Sequence, residues 1–335
     1  MKNNGHTEIV MITGASAGIG RAAVRAFAKR GAHIGLLARG RDGLEAACKE
    51  VEELGGKGLV LAADVADENA VEAAAEQLEN EFGPIDIWVN DAMVSVFSPI
   101  IEMKPEEYRR VTEVNYLGYV WGTLAALRRM RPRNGGVIVQ VGSALGYRGI
   151  PLQSAYCASK FAIRGFCDSL RAELIHDKVN VRICLVDMPA VNTTQFGWVR
   201  SRLPNRAQPV PPIYQPEVAA EAIVFAATHD RREVYVGFPT VKAVVANKIA
   251  PSLIDRYLGR TGYKSQQTSE PKDPDQPDNL FEPVPGDSGA HGVFDRRARR
   301  FSWQLWLDEH RGLCAGAMLA CAAVGAGWLA AKRRR

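Results

Sequence analysis

Three side chains of this 335-residue chain have the types and spacing for proton transfer at a carbon-bound oxygen. Tyr156 and Lys160 stand four apart in Tyr156-Cys157-Ala158-Ser159-Lys160, thirteen residues after Ser143. Residues four apart on a helix share a face. The Lys160 ammonium can therefore favour the Tyr156 phenolate and draw the phenol from about 10 towards working pH. Tyr156 can then act as general acid or base on a substrate oxygen that Ser143 holds by a hydrogen bond. Far upstream, Thr13-Gly14-Ala15-Ser16-Ala17-Gly18-Ile19-Gly20 places glycines where an apolar strand gives way to a helical pattern. Such a turn lets backbone approach a pyrophosphate, and the helix start offers free N–H groups. Gly14, Ser16, Gly18, Ile19 and Gly20 are its candidate binding residues.

These groups need a scaffold, and the hydrophobic pattern supplies one. Short apolar runs at Ile9–Thr13, His33–Ala38, Gly58–Asp64, Ile85–Asn90, Gly136–Gly142, Val179–Asp187 and Glu233–Gly237 alternate with amphipathic stretches at Asp42–Leu54, Asn69–Phe82, Pro105–Met130 and Ala155–His176. Near-continuous apolar strands separated by helices imply a parallel sheet covered on both faces. The expected fold is therefore α/β, a Rossmann-like doubly wound sheet forming one catalytic domain over residues 5–262.

The Gly-x-x-x-Gly-x-Gly spacing, with Ser143 and Tyr-x-x-x-Lys behind it, resembles the short-chain dehydrogenase/reductase family, and the likeness runs from Ile9 to Tyr263. The resemblance implies an oxidoreductase that interconverts alcohols and carbonyls with a nicotinamide cofactor. It places Asp64, with Val65 beside it, at the adenine ring, and makes Asn115 the residue ordering a water that relays protons to Lys160. Asn90 and Ala92 fall in the stretch that the family usually writes Asn-Asn-Ala-Gly, here Asn90-Asp91-Ala92-Met93, with Asp91 and Met93 as departures. Pro189 matches the family's Pro-Gly, Ala190 does not, and either Thr193 or Thr194 takes the role at the nicotinamide carboxamide. Tyr156 and Lys160 also count among the cofactor-binding residues.

The second strand ends Leu36-Leu37-Ala38-Arg39. A carboxylate there would accept from the adenosine 2′-hydroxyl, whereas an arginine pairs with a 2′-phosphate. Ala38 and Arg39 therefore select NADP (NADPH). Family resemblance makes Gln195–Pro216 the lid of an apolar substrate pocket, with Phe196, Trp198, Val199 and Leu203, and with Val94, Val96, Phe97, Tyr147, Ile150 and Leu152 nearby. A small lipophilic alcohol or carbonyl compound is the expected substrate. The resemblance also implies homo-oligomers formed through the helices at Pro105–Met130 and Ala155–His176.

Six cysteines stand singly with no zinc spacing, which excludes a structural metal and indicates reduced, cytoplasmic usage. The polar start, Met1 to Glu8, leaves no room for a secretory signal. Lys264–Gly292 carries five prolines and six acids with almost no aliphatic residues. Residues 263–292 are therefore expected to be a disordered linker. Residues 293–335 hold a basic and aromatic segment and then Gly312–Ala331, 20 residues without a charge, enough helix for a bilayer core of about 30 Å. Eight alanines and four glycines make that run weakly hydrophobic, so it spans the membrane, lies on it or packs on protein. Attachment to the cytoplasmic membrane face, with lipid contact at the C-terminus, is the expected location. The basic cluster beside tryptophans suits lipid headgroups better than nucleic acid, which is not an expected partner. The competing reading is a membrane-tethered nucleotide-binding regulatory protein without turnover; the intact Ser143, Tyr156 and Lys160 argue against it.

Overall fold

A computed structural model describes residues 7–313 and residue 316 of the chain. Its elements in chain order are β1 (Ile9–Thr13), α1 (Gly18–Ala28), β2 (His33–Ala38), α2 (Arg41–Glu53), β3 (Lys57–Ala62), α3 (Glu68–Phe82), β4 (Ile87–Asn90), β5 (Val96–Phe97), α4 (Pro105–Thr112), α5 (Gly118–Met130), β6 (Gly136–Ser143), α6 (Ser154–His176), β7 (Val181–Met188), β8 (Ala190–Val191), β9 (Arg200–Ser201), β10 (Asn205–Ala207), β11 (Ile213–Tyr214), α7 (Pro216–Thr228), β12 (Glu233–Tyr235), α8 (Gly237–Ile249), α9 (Pro251–Ser265), β13 (Gln267–Pro271), β14 (Ala298–Arg299) and α10 (Trp303–Glu309). A seven-stranded sheet runs β12-β7-β6-β4-β1-β2-β3, and every pairing in it is parallel. Strand order reverses between β1 and β4, the point at which such sheets leave a crevice at their carboxyl ends.

Two apolar layers sandwich this sheet. One packs Phe27, Leu44 and Ile223 from α1, α2 and α7 against Val10, Ile34 and Val186. The other packs Leu78, Val111, Ala126 and Ile163 from α3 to α6 against Met11, Trp88 and Ile138. Local chemistry sets the entries to these elements. The Asp67 carboxylate caps α3 by accepting from Asn69 N and Ala70 N, and Pro105 stands in the first turn of α4, where no N–H is needed. The expected single helix over Pro105–Met130 is instead α4 and α5 joined by a π-helical turn, Glu113–Leu117, that contains Asn115.

Residues 263–292 do not form the expected disordered linker. α9 runs through Ser265, β13 pairs antiparallel with β10, and the chain then crosses the carboxyl edge of the sheet as an ordered strap. Leu280 is completely buried in the second apolar layer. Composition missed this because the strap's partners lie elsewhere in sequence. Its acids and carbonyls meet arginines of the sheet domain: Asp278 binds Arg200 at 2.9 Å, Asp287 binds Arg21 at 3.3 Å, and Leu280 O accepts from Arg110 Nε at 3.0 Å. Further on, Phe294 and Leu305 are buried and β14 pairs with β11, so the segment after residue 292 is integrated with the domain. Among the described residues no helix is long and apolar enough to cross a membrane. Of the uncharged run 312–331, all but residues 312, 313 and 316 lie outside the described residues.

Candidate active site

The carboxyl ends of β1, β2, β4, β6 and β7 open into one cleft of about 420 Å³. Gly14, Ser16, Gly18 and Ile19 line its floor, Arg39, Asp64 and Val65 one end, and Ser143, Tyr156 and Lys160 the other, with Ala92, Pro189, Thr193 and Thr194 between. The turn after β1 depends on glycine. Gly14 has φ +75°, and a Cβ there would stand 3.0 Å from the Ala92 backbone. The exit of β4 is pinned against that of β1 by Thr13, whose hydroxyl accepts from Asp91 N at 3.0 Å and Ala92 N at 3.1 Å.

Two of the expected binding residues have other work. Gly20 is absent from the cleft wall; a Cβ on it would lie 2.2 Å from Gly14 O, so it allows α1 to seat against the turn. Asn90 is 1% exposed and turned away from the cleft. Its amide donates to Gln140 Oε1 at 3.0 Å and Thr123 Oγ1 at 3.3 Å, while its carbonyl accepts from Trp88 Nε1 at 2.8 Å. Asn90 thus ties β4 to β6 and α5.

At the catalytic end, α6 carries Tyr156 and Lys160, and Ser143 closes β6. Ser143 and Tyr156 line the same end of the cleft, and Ser143 Oγ accepts from Leu145 N at 3.1 Å. Lys160 is 3% exposed; its ammonium donates to Val141 O at 2.7 Å and Tyr119 Oη at 3.1 Å and lies 5.6 Å from the Tyr156 ring centre. Burial lowers the Lys160 pKa, opposed by the buried carboxyls of Asp91 and Asp187. The same burial drives the Tyr156 phenol upward, with the nearby Ser143 hydroxyl opposing it. This runs against the expected fall towards working pH, because desolvation penalises the phenolate. Asp187, completely buried at the end of β7, is pushed up to about 8 by desolvation and then by Glu233. Asn115 sits one layer behind the cleft: its amide group is clamped to the Val94 backbone at 2.8 and 2.9 Å and reaches Ser159 Oγ at 3.4 Å.

Tyr119 and Arg110 are functional-site neighbours that pattern reading overlooked, and Asp91 is one that it named only as a departure from the family motif. Tyr119 gives Lys160 an acceptor and donates its own proton to Val141 O at 3.1 Å. Its only sequence signal is a position four after Asn115, one turn along the same helical run. Arg110 holds Asp64 by a salt bridge. Arg39, expected to face a 2′-phosphate, donates from Nη1 to Phe281 O at 2.6 Å and from Nη2 to Asn279 O. Of the expected pocket residues, Val94, Ile150, Phe196 and Trp198 line the cleft. Phe97, Leu152, Val199 and Leu203 instead form a small core beneath the lid. Val96 is buried in the second apolar layer, and Tyr147 hydrogen-bonds Glu233 and Tyr235.

The site fits a dinucleotide. A glycine-floored turn meets a helix start at one part of the cleft, and the hydroxyls of Thr193 and Thr194 line it buried and without a partner among the described residues. Comparison with known proteins agrees. The family model for short chain dehydrogenase matches residues 8–201, and the chain belongs to that family. It is therefore a dehydrogenase/reductase working with a nicotinamide nucleotide, NAD(P)(H). The uncharacterized oxidoreductase YxnA of Bacillus subtilis is 32% identical over 332 residues, covering 98% of this chain and 91% of its own. Estradiol 17-beta-dehydrogenase 11 of Mus musculus is 30% identical over 252 residues, 75% of this chain and 81% of its own. A crystal structure of a 3-ketoacyl-ACP reductase from Sinorhizobium meliloti 1021 superposes with a TM-score of 0.60 at 30% identity, covering 68% of this chain and 96% of that one.

The Asn90 assignment is testable. Asn90→Ala should lower unfolding stability by about 1–3 kcal/mol, the cost of leaving buried polar partners unpaired. Nucleotide affinity of the folded fraction should stay within a few-fold of wild type, as measured by denaturant unfolding and by NADPH titration of the same sample.

Proposed function

We propose that the protein is an NADP-dependent oxidoreductase interconverting alcohol and carbonyl groups on a small lipophilic substrate. The observation that carries the chemistry is the convergence of Ser143 and Tyr156 on one end of the cleft beside a buried lysine whose ammonium lies 5.6 Å from the Tyr156 ring centre. Bound there, the nicotinamide would give or accept the hydride. Ser143 holds the substrate oxygen and Tyr156 moves its proton. Lys160, held by the Tyr119 hydroxyl and Val141 O, stabilises the phenolate that proton donation leaves. Asn115 acts from behind, by fixing Val94 and the helix that carries Tyr119.

The NADP choice rests on Arg39. Ala38 offers no carboxylate to reject a 2′-phosphate, and Arg39 lines the adenosine end with its guanidinium steadied by strap carbonyls. The lipophilic substrate is inferred from Ile150, Leu145, Phe196, Trp198, Met188 and Val210 around the catalytic end. Homo-oligomers through α5 and α6 fit the exposed Phe161 and Ile175 of α6. Lipid contact at the C-terminal side is supported by exposed Phe301, Trp303, Leu307 and Leu313 beside exposed Arg296, Arg300 and Arg311. The surface continues onto α8, which packs on α10, with exposed Phe238 and Ile249 beside Lys242 and Lys248.

Purified protein screened against lipophilic aldehydes and ketones should oxidise NADPH at least tenfold more efficiently than NADH. Tyr156→Phe should lower kcat by about 10²–10⁴, the scale of general acid catalysis, with NADPH affinity nearly intact. A Phe variant within a few-fold of wild type, or a preference for NADH, would overturn the respective assignment. Lipid contact is checked by flotation: the full chain should rise with anionic vesicles at low salt, and protein that stays at the bottom with every vesicle composition contradicts it.

A further inference from the structure

The strap crosses the mouth of the nucleotide cleft from end to end, and its bonds go to the same elements that hold the nucleotide fingerprint. Asn279 N donates to Trp198 O at 3.1 Å, joining the strap to the lid. Asn279 and Phe281 carbonyls take both terminal nitrogens of Arg39. Leu280 O accepts from Arg110, the residue that also holds Asp64. Gly286 N donates to Asp42 at the start of α2 at 2.8 Å, and Gly18 N, at the start of α1, donates to Gly289 O at 3.1 Å. Gly292 N then reaches Asn192 O at 3.2 Å, beside the threonines of the nicotinamide end.

The strap covers the cleft without filling it. Asn279, Pro283, Val284, Gly286 and Ser288 line the same space of about 420 Å³ as Gly14, Arg39 and Asp64, from the opposite side. Two anchors hold it at the adenosine half: the fully buried Leu280 and the carbonyls that take the two terminal nitrogens of Arg39.

We propose that the segment Asp278–Gly292 is a fourth wall of the nucleotide site, closing over a bound dinucleotide, orienting Arg39, and lifting for each cofactor exchange. This rests on the reading of the cleft as a nicotinamide-nucleotide site. Each turnover then includes an opening step, and cofactor release is slow relative to an open crevice.

A cross-link provides the test. A Cβ on Gly40 would stand 3.5 Å from Pro283 Cβ, within the separation of disulfide-bonded cysteines, and Gly40 has an ordinary φ of −80°. In G40C/P283C, a disulfide formed after loading with NADPH should slow displacement of bound NADPH by excess NADP⁺ at least tenfold, read by nicotinamide fluorescence, and dithiothreitol should restore the rate. Oxidised wild type controls for the native cysteines. Conversely, Leu280→Ser should speed NADPH release at least tenfold. Unchanged release in the locked form overturns the proposal. So does a Leu280→Ser protein that binds NADPH more tightly than wild type, since the strap would then be a competitor for the seat. Wild-type protein that binds neither NADPH nor NADH would instead overturn the nucleotide-site reading itself.

Discussion

A buried cation organises this site. Lys160 is 3% exposed, and a lone ammonium at that depth would lose its proton. Here its charge is met by Val141 O and by the Tyr119 hydroxyl. Each of those partners stands at the carboxyl end of a strand or on the helix across from it. The parallel sheet, the helix Ser154–His176 and the π-helical turn at Asn115 must all be in register before the cation can be accommodated. The same desolvation that makes Lys160 dependent on its partners raises the Tyr156 phenol, so the two groups are matched by one environment.

The other end of the cleft is organised by arginine. Arg21, Arg39, Arg110 and Arg200 lie on separate elements of the sheet domain and its lid, and the strap meets all four. A segment rich in acids, prolines and bare carbonyls has little apolar surface to bury, but it suits a row of guanidinium groups with unused donors. The one large apolar residue that it does bury, Leu280, joins the apolar layer that holds Val65 and Val114. Order in this segment is therefore a property of the domain beneath it.

Sequence periodicity was enough for the sheet, because apolar runs and the four-residue helix repeat are local signals, and motif spacing with the family resemblance singled out Gly14, Ser143, Tyr156 and Lys160. It placed the first two strands at His33–Ala38 and Ile9–Thr13 to the residue. Asn90 was legible as a motif position but not as a core amide, since its partners Gln140 and Thr123 lie tens of residues away. Tyr119 was hidden for the same reason, being one aromatic among several on a long amphipathic stretch. The strap was misread because a disorder argument weighs a segment's own hydrophobicity, whereas the arginines that hold it come from residues 21 to 200. Arg39 shows both sides: its place at the end of β2 was evident, but its strap carbonyl partners, some 240 residues on, were not.

Lys160 serves Tyr156, and the pH dependence of NADP⁺-dependent alcohol oxidation by Lys160→Met is the measurement that bears on this role. Without the ammonium the buried phenol should ionise only at higher pH. The variant should then lose at least a hundredfold in kcat/KM near pH 7, with the deficit shrinking steadily as pH rises, while nucleotide binding confirms an intact cleft. A folded Lys160→Met protein that keeps the wild-type rate and profile would contradict the account.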